Sequence, residues 1–367
     1  MGKRAVVVLS SVAALLGILL VVALVVVLGN AAAPASAPGA WVPTQEPTPT
    51  PTAAAPRDDS SPTATPTPGP APTPSAAPTS PAGACTRVLT EPQLDDLLGA
   101  GWTTYDLPTE YMRRVSIGTL GGIECRWQSE NIFTAGTGSL SVIILPADRV
   151  PPAFVDAYSP VRCEESSDGT VCRASAFAGD YWVMTQALAA SDDLPTQMLE
   201  RATGHVASTV GATFEGTARQ RQADWLLLPE CEDLARDIRL DEIIGTGYEH
   251  GDPWGASEAP EDAMIREAGV AVVCPWFSVD GSGPRGDSFF PTAILAAGGA
   301  WAWEAIAGLE SAVAVDVEGA VGAVIPRPGE PWATLFVTDG VNLIGVYGLE
   351  GADRILVAER ILGALQS

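Results

Sequence analysis

CTRVLTEPQLDDLLGAGW (residues 85–102) and CEDLARDIRLDEIIGTGY (residues 231–248) lie over one another without a gap, 146 positions apart. In the first, Leu94, Leu97 and Leu98 stand at i, i+3 and i+4; Leu240, Ile243 and Ile244 repeat that stripe in the second. The spacing predicts one amphipathic helix written twice. Thr90 and Gln93 have the spacing of a capping box, with Leu89 and Leu94 placed as a hydrophobic staple. Gly99 and Gly245 then supply the residue that stops each helix. The second copy lacks the cap, with Arg236 where Thr90 falls in the first. Asp95, Asp96, Asp241 and Glu242 lie off the apolar stripe and read as solvated acids, not as a catalytic pair.

Three further landmarks recur in the same order. Cys125-Arg-Trp127 answers Cys274-Pro-Trp276, ASAFAGD (174–180) answers ATLFVTD (333–339), and Glu200-Arg201 answers Glu359-Arg360. Ordered landmarks whose offsets only grow predict two homologous domains, 85–217 and 230–367. Residues 218–229 are the connection, partly packed through Trp225 and Leu226–Leu228. Predicted strands are IECRWQS, GSLSVIILP and DYWVMTQAL in the first domain. In the second they are GVAVVCPWFS, FFPTAILAA, AVAVDVE, GAVGAVIP, WATLFVTD and NLIGVYGL. Helices are predicted near 151–158, 195–210, 301–310 and 352–365. The fold class is therefore α+β, each domain an antiparallel sheet with packed helices.

Six cysteines allow fifteen pairings. The repeat selects Cys85 with Cys125 and the equivalent Cys231 with Cys274, each tying a first helix to a central strand. Cys163 and Cys172 are left over and flank EESSDGTV, a hairpin with an Asp-Gly turn. Loop closure makes each long bridge worth about 4 kcal/mol and the hairpin bridge about 2.5 kcal/mol. With no Cys-x-x-Cys and two histidines in the chain, the cysteines read as structural, not as metal ligands or a redox pair.

The compartment is read from the N-terminus. Residues 1–4 carry Lys3 and Arg4, and the apolar run Ala5–Leu28 is long enough to span a bilayer. The basic side stays cytoplasmic, which places everything beyond it outside. A signal peptide cleaved near Ala37 is the competing reading, and both export the remainder. Residues 31–84 are almost entirely Ala, Pro, Thr, Ser and Gly, an extended linker with too little apolar bulk to fold. From Cys85 onward there are 41 Asp and Glu against 17 Arg and no Lys. Such a surface disfavours nucleic acid and leaves a cell-wall or basic protein partner as the expected kind.

Cysteine, a capped leucine-rich helix ending in glycine, and then Cys-x-Trp some forty residues later together resemble a known group. They are similar to the actinobacterial extracytoplasmic domains of unknown function found in envelope lipoproteins. More distant kin are the extracellular sensor domains of actinobacterial serine/threonine kinases. The resemblance covers both copies and implies no catalytic residues. The chain departs from that pattern by offering a membrane span where those lipoproteins carry a lipid-anchor cysteine.

No nucleophile elbow, zinc-protease helix, phosphate-cradling loop or EF-hand appears, and no cofactor or metal is expected. DGSGPRGD (280–287) reads as a turn. His205 reads as a cation near a helix C-terminus. Trp127, Trp182, Trp276 and Trp332 read as core. Trp301 and Trp303, with His250 and Trp254 of a Gly/Pro loop, are the candidate ligand groove. The expected function is non-enzymatic binding, sensing or envelope organisation outside the membrane. The alternative is an envelope glycan hydrolase using paired carboxylates.

Overall fold

The computed structural model describes residues 85–98, 101–105, 107–108, 110–129, 137–166, 169–189, 196–214, 220–251, 259–278, 290–330 and 333–365. All of them belong to one compact unit. The expected tail, span and linker lie outside the described residues, as do Trp254, Trp332, Gly99 and the 280–287 turn. No helix of the described residues is long and apolar enough to cross a membrane.

The fold is α+β, with two antiparallel sheets. The first contains β1 (Trp102–Tyr105), β2 (Ile123–Ser129), β3 (Thr137–Pro146), β4 (Arg162–Ser166), β5 (Gly169–Ala178) and β6 (Tyr181–Ala189). Their order is β1-β2-β3-β6-β5-β4. The second contains β7 (Tyr248–His250), β8 (Ala271–Ser278), β9 (Thr292–Ala296), β10 (Val313–Ala314), β11 (Gly322–Ile325), β12 (Leu335–Thr338) and β13 (Leu343–Tyr347). Read from the β7 edge, its order is β7-β8-β9-β13-β12-β11-β10. That is the order of the first sheet with one short edge strand added.

The opening helix forms as its cap predicts. In α1 (Glu91–Leu98) the Thr90 N–H donates to Gln93 Oε1 at 2.8 Å, and Leu89 and Leu94 are both buried. The stretch from Cys231 differs. There the chain makes α5 (Cys231–Asp237), breaks at Arg239 with φ of 50°, and restarts as the short α6 (Leu240–Ile244). The break is held from across the fold: Arg360 donates to the carbonyls of Ile238 and Arg239 at 2.8 and 3.0 Å. Leu240, Ile243 and Ile244 are buried as the stripe requires, and Asp95, Asp96, Asp241 and Glu242 are exposed.

The remaining helices are α2 (Met112–Thr119), α3 (Pro152–Val155), α4 (Thr196–Thr213), α7 (Pro260–Glu267), α8 (Trp303–Ala307) and α9 (Gly351–Leu365). Three expectations shrink. The helix near 151–158 is only α3. The 301–310 helix is a 3-10 turn at Gly299–Ala302 followed by α8, and AVAVDVE contributes only β10. All three predicted disulfides form, Cys85–Cys125, Cys163–Cys172 and Cys231–Cys274. However, β2 and β8 are second from a sheet edge, not central.

Each sheet packs on both faces. One face of the first sheet packs Trp127, Leu140, Val142 and Val183 against Leu199, Val206 and Val210 of α4. Its opposite face, through Ile143, Leu145, Trp182 and Met184, joins a second core that runs on into the 225–365 region. The wedge between the sheets is α2, which sequence reasoning missed. Six of its eight residues are buried. A Cβ at Gly118 would stand 2.7 Å from Cζ2 of Trp301, so only glycine admits that ring. The Trp301 indole N–H donates to Thr119 Oγ1 at 3.0 Å.

Candidate functional site

Each sheet leaves part of its inward face uncovered beside this wedge, and the two hollows differ in chemistry. In the second sheet Val273, Ile294, Gly345, Phe336 and Val324 are successive cross-strand partners, one row on one face. Gly345 is the member of that row without a side chain, and Thr334, Phe336 and Met112 close over it. Beside it is a cleft of about 310 Å³ floored by Val273, Ile294 and Phe336, with Tyr347 beside them. Its walls are Tyr111 and Met112 from the start of α2 and Ile265 of α7. A Cβ on Gly345 would meet Thr334 at 3.4 Å and Met112 at 3.8 Å.

Charged groups also line the cleft, and they are paired: Glu110 with Arg327 at 2.7 Å, and Arg113 with Asp262. Arg113 Nε and Nη2 donate to both oxygens of Asp262 at 2.9 and 2.8 Å, joining α2 to α7. Burial opposes the Arg113 charge, but the Asp262 carboxylate outweighs it and keeps the guanidinium more firmly protonated than usual. Arg126 Nε donates to Glu124 Oε1 at 3.0 Å, and its Nη2 donates to Tyr111 Oη at 3.0 Å. The Tyr111 ring lies against both guanidiniums, 5.8 Å from Arg113 and 5.3 Å from Arg126. Burial pushes the Tyr111 hydroxyl up.

Two carboxylates are sealed at this junction, one from each sheet's half. Glu124 of β2 and Glu261 of α7 have side chains only 1% and 3% exposed, and Arg173 Nη2 lies 3.7 Å from Glu261. Burial raises Glu124 above the usual glutamate range; Arg113 and Arg126 oppose the rise and the Glu261 charge adds to it.

In the first sheet the uncovered rows are polar. Tyr105, Arg126, Ser141, Gln186 and Arg173 are successive cross-strand partners, and Gln128, Ser139, Leu188 and Val171 make the next row. All of them except the buried Arg173 line a groove of about 340 Å³.

The predicted groove residues do not come together on either hollow. Trp301 fills the space over Gly118, and Trp303 packs on Gly322, where a Cβ would stand 2.5 Å from its Cζ2. Both tryptophans are packing residues, and their alternation reflects two glycine hollows on two different elements. His250 sits on edge strand β7, with Nδ1 3.4 Å from Glu232 Oε1. Trp254 lies outside the described residues. His205 falls in the middle of α4, not near its end, because that helix runs on to Thr213. Trp127, Trp182 and Trp276 are core, as expected.

Sequence reasoning missed both hollows. The available signal for the apolar one was Gly345, a glycine inside the apolar strand LIGVY, which marks a gap or a close approach. Among the described residues no cluster of three or more His, Cys, Asp or Glu side chains could hold a metal ion. No protein-family model, curated protein or solved structure matches the chain, so the site is read from its own geometry.

Proposed function

We propose that this is a membrane-anchored, extracytoplasmic binding protein whose apolar cleft takes a small, largely uncharged ligand. The observation that carries the reading is the side-chain-free position Gly345. It lies under a largely apolar hollow between two helices that bidentate Arg113–Asp262 pairing joins, with its charged lining residues paired. A cleft of this size and lining is the usual form of a small-molecule site. The apolar run Ala5–Leu28 and the Pro/Thr-rich stretch after it support the anchor and the spacer. Three disulfides suit an oxidising compartment.

The two halves descend, in this reading, from one duplicated module, supported by the shared strand order and the equivalent Cys85–Cys125 and Cys231–Cys274 bridges. Kinship with actinobacterial envelope domains rests on the capped helix and Cys-x-Trp motifs alone. The hydrolase alternative is disfavoured by Glu124 and Glu261. They are an interacting pair of buried carboxylates among the described residues, and both are sealed from any polymeric substrate.

The test is titration of the purified full chain with the neutral apolar dye N-phenyl-1-naphthylamine, beside a Gly345→Val variant that fills the hollow. Saturable binding of one dye per chain, lost in the variant, supports the reading. Dye binding that Gly345→Val leaves intact would remove the cleft from it. Release of reducing sugar from cell-wall fractions, abolished by Glu124→Gln, would turn the reading to the hydrolase.

A further inference from the structure

The polar groove of the first sheet is a second and chemically different hollow. We infer that it is a binding site for a neutral oligosaccharide, held across strands β1, β2, β3 and β6. The inference rests on the extracytoplasmic reading above, because that is where such a chain would be met.

Three observations lead there. First, the two cross-strand rows present unused hydrogen-bonding capacity at regular spacing. Among the described residues the side chains of Gln128, Ser139 and Ser141 make no hydrogen bond, and Gln186 uses its Oε1 for Arg173 Nε at 2.8 Å. Neighbouring rows on one strand face repeat about every 7 Å, since same-face residues are two apart at about 3.4 Å per residue. Adjacent strands stand about 4.8 Å apart. Amides and hydroxyls on that lattice match the vicinal hydroxyls of linked sugar rings, each of which donates and accepts.

Second, the groove is neutral on a strongly acidic molecule. None of its nine lining residues is Asp or Glu, and its one cation, Arg126, is already matched by Glu124 at 2.9 Å. Elsewhere acids outnumber arginines 41 to 17 from Cys85 onward. An anionic ligand finds no free charge here, a cationic one finds no carboxylate, and a nucleic acid meets a repelling field. A plain solvated sheet face on this chain would carry its share of acids.

Third, one end of the first row is Tyr105, 42% exposed and unusual among the large side chains in facing water. Its ring offers a platform for the C–H face of a sugar, while Leu188 and Val171 supply apolar floor between the polar groups. The volume of about 340 Å³ lies inside the range of ligand sites.

Isothermal titration of the full chain with two neutral probes, triacetylchitotriose and cellotriose, tests this directly. The expected result is saturable binding of at least one, weakened tenfold or more by Gln128→Ala and by Tyr105→Ala. Both side chains are exposed, and a thermal melt of each variant checks that it folds. Preference for the acetylated probe assigns the contacts to acetamide groups; equal binding assigns them to ring hydroxyls. Sugar binding lost to Gly345→Val and kept in Gln128→Ala would move the sugar to the apolar cleft and overturn the inference. Bound dye with no bound sugar would also overturn it and leave the cleft reading standing. Failure of both probes and dye would remove both.

Discussion

The two sheets share a strand order and differ in the lining of the hollows they leave. In the first, the row one step outward from the junction is Tyr105, Arg126, Ser141 and Gln186, ending at the buried Arg173; in the second, the row under the cleft is Val273 and Ile294, ending at the buried Gly345 and Phe336. A common topology has therefore been furnished with opposite surfaces. Strand order is set by backbone pairing and by which residues must be buried, and neither constrains the open part of a face. Function can diverge there without disturbing the frame.

The strongest challenge to this equivalence is to remove one bridge at a time. Cys85→Ser with Cys125→Ser, and Cys231→Ser with Cys274→Ser, should each lower unfolding stability by about 4 kcal/mol in urea titrations. The Cys163–Cys172 hairpin bridge should cost about 2.5 kcal/mol because its loop is short. A large inequality between the two long bridges would show that the halves are not energetic equals.

Arg113→Met comes next. It removes two charge-assisted hydrogen bonds to Asp262 and leaves that carboxylate unpaired, for an expected loss of about 1.5–3 kcal/mol at neutral pH. Melting should become a single earlier transition, since the pair spans both sheets' surroundings. Two separated transitions would instead show that the halves unfold independently. Gly118→Val should cost about 1–3 kcal/mol by driving a side chain into Trp301. An unchanged melt would mean that α2 is not the wedge.

The last prediction is one of sign. Burial raises Glu124 above its usual 4.5, so the folded chain holds that proton more tightly than the unfolded chain does. The associated stability is complete below about pH 4.5 and is lost as pH rises through the raised value. Glu124→Gln should flatten that part of the stability–pH curve, read as the difference in Tm between about pH 4 and about pH 7. An undiminished slope would assign it to other groups at the junction.

What could be read from sequence follows the range of the interactions. The cap of α1 is local, and Thr90 with Gln93 announced it. The strands around Cys125 and Cys274 announced themselves by pattern, and the repeat gave the bridges. The helices α2 and α7 were invisible for a physical reason. α2 buries Ser116, Gly118 and Thr119 as well as Met112, Val115 and Ile117, so no single stripe remains to be seen. α7 buries Glu261, which is tolerable only beside Arg173 from a distant strand. Trp301 covers Gly118, far away in sequence, and Trp303 covers Gly322 on a later strand, so neither shows itself as a packing residue from its own neighbours.

The Asn342 side chain, at the turn before β13, carries a consequence for where the chain can be divided. Its Oδ1 accepts from Leu226 N–H at 3.1 Å and Gly298 N–H at 3.0 Å, while its Nδ2 donates to Asp224 O at 3.3 Å and Asp339 Oδ2 at 2.8 Å. Trp225 is buried beside it, against Gly298. A cut at Glu230, where sequence places the second domain's start, would therefore take away two of that amide's four partners and a core indole. The segment from Asp224 to Leu226 behaves as the second half's own first element, and Arg221, whose guanidinium grips the Gly269 and Leu226 carbonyls, belongs with it.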